Sequence, residues 1–171
     1  MAKCLLRSNQ ILVETKYFTT RVSRPPDKVK RQTTYLEALG TLTDFHIYYG
    51  HYLDQTMTCR KCGHSYQTYH EKMTDVNIAV QMLTDAFQDR FDVALLVSAD
   101  GDLAGIIETV QTLATSKRVV SVFAPARRSA KLEQVASAHI RIYRSTLARC
   151  QFPDRITKPG GFVLERPRSW R

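Results

Sequence analysis

No apolar run in these 171 residues approaches the roughly 20 that a helix needs to cross a bilayer, so no segment reads as a membrane-spanning helix. The opening stretch, MAKCLLRSNQILVE, turns polar after Leu6, too soon for a secretory signal, and a cytoplasmic protein is expected. Cysteine is scarce. Of Cys4, Cys59, Cys62 and Cys150 only the middle two are close in sequence, which argues against a disulfide framework and leaves Cys4 and Cys150 as expected packing residues. There is no internal repeat and no low-complexity tract. Acidic residues are in deficit: 16 Asp and Glu face 25 Lys and Arg, a net charge of +9. Such a surplus favours polyanionic partners, nucleic acid ahead of anionic membrane. The content of 43% hydrophobic and 24% charged residues is that of a soluble globular protein, and the length suits one domain with a real core.

The apolar pattern alternates between two periods. Residues 3–10 read as a short helix. Residues 11–22 (ILVETKYFTTRV) alternate and are rich in β-branched and aromatic residues, as in a strand. A turn with Pro25 and Pro26 leads to a helix with Leu36, Leu39 and Leu42 on its apolar face. Residues 45–53 read as a second strand and Asp54 to about His70 as a polar loop. Thr74 is a candidate N-cap for a helix whose apolar face runs from Val76 through Met82 to Phe87. Strands are expected at 93–98, 118–124 and 139–143, and helices at about 103–115 and 127–138. Strands alternating with helices imply an α/β fold with a mostly parallel central sheet covered on both faces. Residues 1–150 are expected to form the domain and residues 151–171, with three prolines and two glycines, a basic extended tail.

The segment DVALLVSADGDL, Asp92 to Leu103, is the most informative. A buried-strand pattern ends in Ser98-Ala99-Asp100-Gly101-Asp102 and passes into a helical one. The carboxyl ends of parallel strands are where α/β proteins bind ligands. Asp100 and Asp102 there suit a hard divalent cation such as Mg²⁺ or Mn²⁺. They also suit a simple chain turn and helix cap. One Asp would serve for capping; two on either side of a glycine favour the metal. Asp75, in the first turn of the preceding helix, is a third acid, equally readable as a partner of the helix dipole.

The ordered pair EKMTDV and SADGD, with KRVVSVFAP after it, resembles the NYN domain, a PIN-like nuclease fold. The resemblance covers roughly Lys16 to Leu147. It implies a three-layer, Rossmann-like or PIN-like α/β fold with acids at the carboxyl ends of the strands. It also implies one or two Mg²⁺ or Mn²⁺ ions and cleavage of RNA phosphodiester bonds. By position, Asp75, Asp100 and Asp102 occupy three acidic places of the pattern, with Ser98 placed to bond a ligand water or a phosphate. Two places differ. The family's first strand and its Asp do not precede Lys16, and a late Asp is replaced around Ser137. A start codon placed too late, a degenerate domain, or a strand supplied by another chain each accounts for the first difference, and a homodimer is a corresponding expectation.

Cys59 and Cys62 form half of a structural zinc site, and His64 and His70 lie near them in sequence; a reduced thiol pair in a loop is the equal alternative. Basic residues cluster around Arg21 and Arg24, around Arg127, Arg128 and Lys131, and along the C-terminal region. Three such runs favour a phosphate-binding surface, although a charge run also serves as a solvated face. Tyr48, Tyr49, Tyr52, Tyr66, Tyr69 and Trp170 are candidates for stacking on bases as well as for packing. The expected function is RNA binding with divalent-metal-dependent cleavage. A non-catalytic RNA-binding or protein-interaction module is the alternative from another class, and a small-molecule phosphohydrolase a third reading.

Overall fold

The computed structural model describes residues 1–170, apart from the side chains of residues 53–55 and 67–71. After a 3-10 turn at Ala2–Leu5, the strands are β1 (Thr15–Thr19), β2 (Phe45–Tyr49), β3 (His51–Thr58), β4 (Ser65–Lys72), β5 (Val93–Val97), β6 (Arg118–Phe123), β7 (Ala138–Arg141), β8 (Arg155–Thr157) and β9 (Val163–Glu165). The helices are α1 (Pro26–Leu39), α2 (Thr74–Phe87), α3 (Ala104–Leu113), α4 (Ala130–Val135) and α5 (Arg144–Arg149). The chain forms two compact units, one of Met1–Val13 with Ile78–Gln151 and the other of Glu14–Asn77 with Phe152–Arg171. The architecture is α/β with parallel sheet, as the alternation of periods predicts.

In the unit of Ile78–Gln151, β6 lies between β5 and β7 and pairs with both in parallel. A central parallel strand has both faces covered, which explains why RVVSVF is buried from Val119 to Phe123. Val119 and Phe123 pack with Leu96, Leu103, Ile107, Val110 and Leu132 from the neighbouring elements. Burial of a side chain such as Phe123 or Ile107 contributes roughly 1.5–3 kcal/mol each. Lys117, at the entry to β6, is buried and paired with Asp89 and, at 3.8 Å, with Asp92. The hydrogen bond and charge of Lys117 hold the Asp89 carboxyl below its ordinary range.

In the other unit β1 and β2 pair in parallel, from Thr15 against Phe45 to Thr19 against Tyr49, with α1 as the connection. Strand pairing begins at Thr15, so Ile11 and Val13, read as strand, stand exposed before it. Tyr35 on α1 meets Tyr17, Phe152 and Trp170 edge to face, at 6.0–6.4 Å between ring centres. Burial, and then Tyr17, push its phenol above the ordinary range.

Two segments differ from the sequence reading. Residues expected as a polar loop form the β3–β4 antiparallel hairpin, His51 pairing with Lys72 and Thr58 with Ser65. Its described side chains at Thr56, Met57, Thr58, Ser65 and Tyr66 are all exposed. Exposed positions of this kind leave no apolar alternation to read. The C-terminal stretch, expected to be extended, carries the β8–β9 antiparallel pair, with Leu164 buried. Gly50 separates β2 from β3. A Cβ there would lie 2.6 Å from the Lys72 carbonyl oxygen and 2.8 Å from Thr20 Oγ1, so only glycine fits.

Candidate functional site

The apolar strand β5 ends at Val97, and the next five residues turn the chain into α3. The Asp100 amide donates to Ser98 Oγ at 3.1 Å, and the Asp102 amide donates to Asp100 Oδ1 at 2.9 Å. One oxygen of Asp100 therefore caps the 3-10 turn Gly101–Leu103, and the capping reading holds in that respect. Both carboxylates are exposed at the carboxyl end of β5, and Ser98 is committed to the turn. Because β5 and β6 run parallel, the loop that follows β6 leaves from the same edge. That loop holds Arg127 and Arg128, both exposed, and its helix α4 places Lys131 beside the acidic turn. A Cβ at Gly101 would be 3.6 Å from the Lys131 side chain and 3.6 Å from Ser129 Oγ.

Arg128 is not available in the way its sequence position suggests. Its Nε donates to both oxygens of Glu133, at 3.0 and 2.9 Å, and its Nη2 donates to Oε2 at 2.6 Å. Arg141 lies 3.8 Å from the same carboxylate. The Arg128 hydrogen bonds hold Glu133 below the carboxylate range, and Glu133 in turn raises Arg128. Glu133 was missed in the sequence because nothing in APARRSAKLEQ marks a pairing five residues on.

Asp75 is exposed in the first turn of α2 and belongs to the other compact unit. Among the described residues, no three Asp, Glu, His or Cys side chains gather as a metal-holding group. Ser137, the position of the missing late acid, precedes β7, and its amide donates to the Val119 carbonyl at 2.9 Å. It therefore sits at the amino-terminal edge of this sheet, opposite the edge that carries Asp100.

Arg21 and Arg24 lie in the other unit, where they line a pocket of about 400 Å³ with Thr20, Ser23, His51 and Tyr52. The pocket opens at the carboxyl end of β1. Arg21 Nη2 donates to the Tyr49 hydroxyl at 3.2 Å, and its guanidinium is 4.8 Å from that ring's centre. Of the candidate stacking residues, Tyr49, Tyr66 and Trp170 are exposed, Trp170 also meeting Tyr35, whereas Tyr48 stacks on Phe18. The side chain of Tyr69 lies outside the described residues.

Cys59 and Cys62 occupy the turn of the β3–β4 hairpin. The Gly63 amide donates to the Cys59 carbonyl at 2.9 Å, and Gly63 takes a left-handed φ of 71°. Hydrogen bonds from the backbone at Lys61 and Cys62, and from the Cys62 side chain, hold the Cys59 thiol below its ordinary range. Amides aimed at a sulfur favour the thiolate, the form that binds metal. His64 is exposed, and the side chain of His70 lies outside the described residues.

The chain is 29% identical to a 6-hydroxy-3-succinoylpyridine 3-monooxygenase of Pseudomonas putida, over 91% of this chain and 56% of that protein. It thus spans about half the length of that relative. Its fold is similar to the crystal structure of a protein of unknown function from Vibrio parahaemolyticus. The TM-score is 0.50 at 22% identity, covering 77% of this chain and 70% of the other. No helix among the described residues is long and apolar enough to cross a membrane. Residues 21–143, most of the chain, match the model of the NYN domain, and the chain belongs to the NYN domain family.

Proposed function

We propose that this protein binds RNA and cleaves its phosphodiester bonds with the help of a Mg²⁺ or Mn²⁺ ion. The observation that carries this reading is the pair of exposed carboxylates, Asp100 and Asp102, on one turn beside Lys131 at a cationic sheet edge. The donor set fits such an ion. Mg²⁺ commonly takes one or two carboxylates and fills its remaining positions with water and substrate phosphate. When bound, the ion would supply an activated water and neutralise charge on the phosphate. Asp100 and Asp102 would hold it. Lys131 and Arg127 would orient the RNA backbone from the same edge, and Arg21 and Arg24 would bind phosphates at the β1 pocket. The Cys59–Cys62 turn is read as half of a separate zinc site. The name of the Pseudomonas relative describes a longer protein; a carboxylate pair beside cations suits phosphate chemistry better than its oxygenation.

The test uses labelled single-stranded RNA and Mn²⁺ with the full chain and an Asp100→Asn variant. The parent should cut and the variant should bind without cutting. Binding by both with cleavage by neither sinks the nuclease reading and leaves an RNA-binding module. For the second metal, the purified protein should contain zinc that is lost in Cys59→Ser; metal-free parent protein removes that assignment.

A further inference from the structure

Cys4 and Cys150 are 146 positions apart in sequence, yet their sulfurs are 3.3 Å apart, in hydrogen-bond contact. Both lie in the same compact unit: Cys4 in the first 3-10 turn, Cys150 at the C-cap of α5. Neither is packed away. Cys4 is exposed and Cys150 half-buried, and both are reduced. A disulfide needs its sulfurs at about 2.05 Å, so closing the bond asks for a movement of a little over 1 Å. Their ionisation is unequal. The hydrogen bond with Cys4, then the amino-terminal ammonium and, more weakly, the Arg149 charge hold the Cys150 thiol below its ordinary range, while the same contact raises Cys4. A thiolate that reagents can reach, next to a second thiol, is the arrangement of a reactive cysteine with a resolving partner.

We propose that Cys150 is a site of reversible thiol modification by a low-molecular-weight disulfide such as oxidised glutathione, and that Cys4 resolves the adduct into an intramolecular Cys4–Cys150 bond. Cys150 gives up its proton to solvent and its sulfur attacks one sulfur of oxidised glutathione. A protein–glutathione bond forms, the glutathione disulfide breaks, and one glutathione thiolate leaves. Cys4 then loses its proton, attacks the Cys150 sulfur and expels the second glutathione. Two protein thiols are oxidised, one glutathione disulfide is reduced to two glutathione molecules, and these take up the two protons. The bond ties the 3-10 turn at Ala2–Leu5 to the end of α5, within the unit that carries Asp100.

The full chain is incubated with oxidised glutathione, quenched with an alkylating reagent at intervals and weighed intact. A transient single-glutathione adduct should give way to a product that has lost two alkylatable thiols, and digestion should return a Cys4–Cys150 peptide pair that dithiothreitol separates. Cys4→Ser should keep the adduct on Cys150. The thermal midpoint of the oxidised parent should exceed that of the reduced parent, a readout that needs no variant. A persistent adduct on the parent, or a Cys59–Cys62 bond as the sole product, overturns the proposal.

Discussion

Ser121 sits in the middle of β6 with no exposed surface, and its hydroxyl has no hydrogen-bond partner among the described residues. It lies on the same face of the strand as Val119 and Phe123, against an apolar layer. An unsatisfied buried hydroxyl costs more than it returns. Ser121→Ala is therefore expected to leave stability unchanged or raise it by about 1 kcal/mol in denaturant unfolding. A loss of that size would mean that the hydroxyl is bonded in solution. Sequence reading could not find this position, because a serine within RVVSVF reads as an ordinary strand interruption. Asp100 shows the reverse. Its place at a strand end was legible from sequence alone, and its geometry adds that one oxygen already serves Asp102.

The junction between β2 and β3 depends on a residue without a side chain. At Gly50 a Cβ would press on the Lys72 carbonyl, Thr20 Oγ1 and Thr74 Oγ1, the last at 3.0 Å. Two of these three contacts come from the end of β4 and the start of α2. Gly50→Ala should destabilise the protein by about 1–3 kcal/mol, measured as a shift in the urea midpoint without a change in slope. A neutral result would show that the hairpin moves freely relative to β1. The elements that carry a buried apolar pattern were predicted closely: β5, β6 and α3 all lie within a few residues of their expected bounds. The β3–β4 hairpin and the β8–β9 pair were not. Short or exposed strands are held by backbone pairing, and such pairing leaves little mark on residue type.

The net charge of +9 acts over the whole chain, but its cations are not equivalent. Arg128 is neutralised by Glu133, whereas Lys131 stands by the acidic turn and Arg127 is exposed. RNA affinity should fall steeply with salt, and each phosphate contact removed should lower the log–log slope by about 0.7 for a single strand. Arg127→Ala and Lys131→Ala are expected to reduce that slope, and Arg128→Ala to change it little. Equal effects from all three, in binding isotherms across a salt series, would count against the pairing of Arg128 in solution. Periodicity, charge balance and the SADGD turn were legible without coordinates, because each is a local property of neighbouring residues. They carried the α/β class, the expectation of a polyanionic partner and the candidate acids Asp100 and Asp102. Folding alone decided that Glu133 occupies Arg128, that Ser137 belongs to the opposite sheet edge, that Arg21 rests on Tyr49, and that Cys4 meets Cys150. Those are pairings between residues from 5 to 146 positions apart. Such contacts are set by how strands and helices pack, and residue order does not record them.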